Sequence, residues 1–136
     1  MKRVFLKAAI IGWCLTVVSV AAPAFAHHAT AMFDGSKTAT IKGTIDQFQW
    51  TNPHVIIWVA VDAEGADQPQ LWAVELSAPG ALTRQGWTKR SVKPGDKVSV
   101  DLSPLRNGKP GGLFKKITLL DTGQVLTFSL LDQAKP

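Results

Sequence analysis

The sequence predicts a mainly β protein: a small barrel of five to six strands, with one short helix between the third and fourth. Three observations predict it. Short runs of alternating, β-branched residues recur between turn signals. The apolar phase switches inside the first run, which marks the kind of bend a small closed barrel needs. The one helical stretch falls after the third strand, the arrangement of an oligonucleotide/oligosaccharide-binding (OB) barrel. A small β-sandwich is the rival architecture.

The chain opens on Met1-Lys2-Arg3, with Lys7 close behind. Residues 8–22 carry no charge, and Ala24-Phe25-Ala26 places small residues where a signal peptidase reads. Residues 1–26 are therefore expected to be a secretory signal cleaved after Ala26, which sends the protein to the periplasm. The apolar run is short of the roughly 20 residues of a membrane helix, so no membrane span is expected after processing. Cys14 is the only cysteine and falls inside this segment. The exported form then has no disulfide and no thiolate metal site.

Residues 27–37 have no period and read as an N-terminal arm pinned by Met32 and Phe33. One β-barrel domain follows over 38–131, and 132–136 form a polar tail. The first strand is expected over 38–50. Ile41 and Ile45 share one face there, whereas Phe48 and Trp50 have the opposite parity, so a bulge is expected near Asp46-Gln47. Asn52-Pro53 breaks the run, because proline fixes φ and pushes its predecessor toward extended geometry. Val55, Ile57, Val59 and Val61 then alternate with His54, Ile56, Trp58 and Ala60 in the second strand. Residues 70–76 form the third, with Trp72, Val74 and Leu76 inward. Ser77 is expected to cap a short helix that carries Pro79 in its first turn and stops at Gly86. Lys93-Pro94-Gly95-Asp96 turns into a fourth strand, residues 97–102. Residues 106–112 read as a flexible basic loop, 113–120 as the fifth strand, and 125–130 as an added strand.

The full chain carries a net charge of +5. Without Lys2, Arg3 and Lys7 it holds 12 basic and 10 acidic side chains, or +2. Residues 27–77 sum to −4 and residues 78–136 to +6. The periplasmic address and the small net charge lead to the expectation that nucleic acid is not a partner. A small ligand or another periplasmic protein is expected instead.

His27-His28, Phe33-Asp34, Trp50-Thr51-Asn52-Pro53-His54, Trp72-Ala73-Val74-Glu75, Gly86-Trp87 and Lys93-Pro94-Gly95-Asp96 occur in this order. In that respect the chain resembles a family of small exported bacterial proteins catalogued as a domain of unknown function. The likeness runs over roughly residues 27–126. It implies a periplasmic address and a compact β domain, and it supplies no activity. Ala29-Thr30-Ala31-Met32 departs from the pattern of the arm.

Three candidate surfaces follow. The α-amine and imidazole of a new N-terminal His27 can chelate one metal ion, with His28 or His54 adding nitrogen. All-nitrogen ligation suits copper, which also heads the affinity order for divalent ions. The plainer reading is that His27 and His28 sit on a solvated arm and that His54 closes the Asn-Pro turn. Second, the connections 51–53 and 105–112 would flank the ligand face of such a barrel. Trp50, His54, Arg106 and Lys109 would stand near one mouth, suited to an anionic or ring-bearing ligand. Third, His54, Ile56 and Trp58 share the outer parity of the second strand, an aromatic face that the arm, a second copy or a partner protein could cover. No nucleophile-elbow serine and no recognisable acid pair appear, so no enzymatic activity is expected. The reading is a non-enzymatic periplasmic binding protein, with copper held by His27, His28 and His54. The alternative is an interaction module using the Trp58 face and the basic loop.

Overall fold

The computed structural model describes residues 28–128. A one-turn helix, α1 (His28–Ala31), belongs to a separate unit from the barrel, which begins at Met32. The strands are β1 (Ala39–Gln49), β2 (Ile56–Val61), β3 (Gln70–Glu75), β4 (Lys97–Pro104), β5 (Gly111–Leu119) and β6 (Val125–Thr127). Helix α2 (Pro79–Arg84) lies between β3 and β4. The sheet order is β3-β2-β1-β4-β5-β6, and β3 also pairs with β5. That pairing closes a five-stranded barrel of OB topology, with β6 added on the outside of β5.

β1 makes the barrel possible because it serves two partners. Ala39 to Thr44 pair with β4, and Thr44 to Gln49 with β2. The register slips between Ile45 and Gln47, at the expected bulge. One residue out of register re-aims the strand and sharpens its twist. Gly43 sits just before this bend. A Cβ there would overlap the Ala60 carbonyl oxygen, so only glycine lets β1 approach β2 this closely.

The closing seam is parallel, with Ala73 opposite Gly111, Val74 opposite Gly112 and Glu75 opposite Leu113. The fifth strand therefore starts at Gly111, two residues earlier than expected, and the two glycines belong to it. A Cβ on Gly112 would overlap the Ser103 carbonyl oxygen, and one on Gly111 would come within 2.9 Å of the Ala73 oxygen.

Alternation fills the interior. Val55, Ile57 and Val59 from the second strand and its entry are fully buried, with Ile45, Val74, Val98, Val100, Leu102 and Ile117 around them. Each such side chain contributes about 1.5–3 kcal/mol relative to exposure. Trp87 closes one end at 1% exposure. Its ring meets Phe114 edge-on at 5.4 Å, and its Nε1 donates to the Thr127 carbonyl at 2.9 Å, which anchors β6.

Two local expectations are corrected. Ser77 does not cap α2: the N-cap is Ala78, which makes no side-chain cap. Pro79 at the first helical position favours extended geometry at its predecessor, and this fixes the cap at residue 78. Nor does the Met32 side chain pin the arm, being 52% exposed. Phe33 does, at 5% exposure and paired antiparallel with Leu105.

Candidate functional site

The face worth building is the outer side of β2 and β3. Interior parity on β2 belongs to Ile57 and Val59, so Ile56, Trp58 and Ala60 turn outward and are half-buried. Register then fixes their neighbours. Trp58 stands opposite Gln47 on β1 and Ala73 on β3, and Ala73 opposite Gly111 on β5. The next row holds Gln49, Ile56, Glu75 and Leu113. On the other side Ala60 faces Leu71, an exposed leucine.

Two loops border this face. The β1–β2 connection runs through a cis Asn52–Pro53 bond to His54. Here His54 Nδ1 donates to Glu75 Oε1, so the imidazole is tied to β3 and not to its own turn. The β4–β5 loop ends against β3, where the Pro110 carbonyl accepts from the Ala73 amide at 3.4 Å. Loop and indole therefore converge on Ala73.

The sequence-derived candidates separate in space. Trp58 and His54 belong to the face. Trp50 has the opposite parity and packs on the core, edge-on to Phe48 at 5.6 Å. Arg106 reaches toward the arm, with Nη1 3.9 Å from Asp34 Oδ1, and its amide donates to the Met32 carbonyl at 2.9 Å. Lys109 is exposed on the loop, with its amide on Asn107 Oδ1 at 3.0 Å. His27 and the side chain of His28 lie outside the described residues, and among the described residues no group of three metal-ligating side chains assembles.

From Met32 onward the arm runs beside Leu105, not over Trp58. Asp34 receives hydrogen bonds from the Ser36 hydroxyl at 2.6 Å and an ion pair from Lys37 at 3.3 Å. The Ser36 hydrogen bond first, then these cations, hold its carboxyl below the usual range. Lys115 Nζ donates to the Lys37 carbonyl and to Thr38 Oγ1, stapling the arm to β5. Asp101 on β4 is likewise lowered, by the Thr40 hydroxyl first and then Lys116 at 2.9 Å.

Sequence reasoning missed Ala73, Gly111 and Gln47 as the surroundings of Trp58. Parity along β3 does put Ala73 outward, but only the register brings it beside the indole.

A family model described as a family of unknown function (DUF6152) matches residues 14–115. No curated protein matches the chain. Among solved structures, the barrel is similar to the mitochondrial single-stranded DNA binding protein Rim1 of S. cerevisiae. The two are 14% identical with a TM-score of 0.45, over 68% of this chain and 96% of that one. The expectation that excluded nucleic acid as a partner is corrected, because its physical premise was too coarse: phosphate binding follows local lysines and arginines, and a net charge averages them away.

Proposed function

This chain belongs to the DUF6152 family of unknown function, and on that premise we propose that it is a non-enzymatic binding module of the periplasm. Its contact surface is the outer β2–β3 face centred on Trp58. The observation that carries the reading is Trp58 itself. It is half-buried on the outer parity of a strand whose inner parity already fills the core, and the arm from Met32 onward pairs at Leu105 instead. A large aromatic ring held at the surface by a rigid sheet suits recognition, because little side-chain entropy is lost on contact. The flanking loops, with His54 on one side and Lys109 on the other, are where such barrels hold their ligands. Site-directed photo-crosslinking from position 58, with position 83 on α2 as reference, tests it.

A second reading keeps copper, held by His27, His28 and His54. It is supported by the Glu75 contact of His54, since a carboxylate on one ring nitrogen orients an imidazole for metal at the other.

A further inference from the structure

The surroundings of Trp58 narrow the chemistry of what that face can hold. On its β3 side the row falls away to the methyl of Ala73 and then to Gly111, which has no side chain. Leu105 roofs Gly111, its Cδ1 being 3.1 Å from where a Cβ would lie. The indole thus stands beside a shallow floor with a wall at the far end. On its β1 side the neighbour is the amide of Gln47, and the adjoining row adds Gln49 and Glu75. The Glu75 carboxylate is met by the imidazole of His54. These two rows contain no lysine or arginine.

Each class of partner asks for something different. A phosphate backbone needs cations along its track, and here the charged group in the rows is an acid. A protein hot spot needs a contiguous apolar patch that water leaves on contact; Ile56, Ala60 and Leu71 give this face apolar area, but Gln47, Gln49 and Glu75 interrupt it with amides and a carboxylate. A sugar ring asks for a flat apolar plate under its C–H face and for amides and carboxylates at its edge, where hydroxyls both donate and accept. This face supplies that combination. Building on the binding-face reading above, we propose that its ligand is a neutral oligosaccharide. One pyranose ring stacks on Trp58, and its hydroxyls bond to the Gln47 and Gln49 amides and to the Glu75 carboxylate.

The test is amide and indole NMR on the protein as purified from expressing cells, titrated with cellotetraose, chitotetraose and an eight-nucleotide thymidine strand. At least one tetrasaccharide is expected to shift the Trp58 indole and the Gln47 and Gln49 side-chain amides, while the buried Trp87 indole stays put. Trp58→Ala is expected to weaken that sugar by about tenfold or more with its folded spectrum intact, and Trp58→Phe to recover part of the loss. Two results overturn the proposal. One is that neither sugar moves the Trp58 indole; the other is that the thymidine strand alone moves it, which gives the face to single-stranded nucleic acid. If crosslinks form from position 58 while both sugars leave the indole unmoved, the face still binds and only its ligand has been misassigned.

Discussion

Trp58 and Ala73 are directly paired across β2 and β3, the largest side chain of the outer face against one of the smallest. The pairing sets only a methyl group on the β3 side of the half-buried indole, and from it follow the differences expected between this tryptophan and the others.

The two tryptophans at the extremes should part company in stability. Trp87→Ala removes a fully buried ring, its edge-on contact with Phe114 and the bond to Thr127. A loss of about 3–5 kcal/mol is expected. Trp58→Ala leaves no closed cavity and should cost about 1 kcal/mol or less. Urea unfolding of the two variants measures the difference. Equal losses would mean that Trp58 is a packing residue.

The bend of β1 should depend on Gly43. Gly43→Ala forces a methyl into the Ala60 carbonyl, between two paired backbones that have no room to give. A destabilisation of about 1–3 kcal/mol is expected, read from the midpoint of thermal unfolding. Gly35→Ala is the reference, since a Cβ there meets nothing within 4 Å.

These two positions also show how far the sequence is legible. The bulge at Asp46-Gln47 and the interior row of Val55, Ile57 and Val59 could be read directly, because parity is a local property. The seam between β3 and β5 could not. It joins distant strands in parallel, and its Gly111-Gly112 pair has the composition of a flexible loop. The same limit hid the His54–Glu75 contact, which spans 21 residues and needs the β2–β3 register. Trp50 adjoins the turn and is expected near the mouth, yet its parity, opposite to that of Gln49, packs it against the core.

Acid should weaken the fold through Asp34 and Asp101. Both carboxyls lie below their ordinary value of 3.8. A lowered folded pKa means that the unfolded chain takes up the proton first. Their contribution is therefore complete above 3.8 and is lost as pH falls through the lower folded value. Asp101→Asn should cost stability at neutral pH, and its deficit against the parent should shrink as pH drops below 3.8. Unfolding midpoints measured across that range decide it. A deficit independent of pH would remove the charge from the account.

Copper binding should require the free amine of His27. An added residue before His27 is expected to weaken Cu(II) binding strongly, and acid near the imidazole range, about 6.5, to abolish it. His54→Ala should weaken it as well. Electron paramagnetic resonance of the native and extended forms reads the ligand set. Equal affinity in both forms would leave the amine out of the site.

The most direct test of the central claim is photo-crosslinking in the cell from a photoreactive residue at position 58, compared with position 83 on the exposed side of α2. The binding-face account predicts a discrete adduct of higher mass from position 58 and none from position 83. Adducts from both positions alike, or from neither, would contradict it.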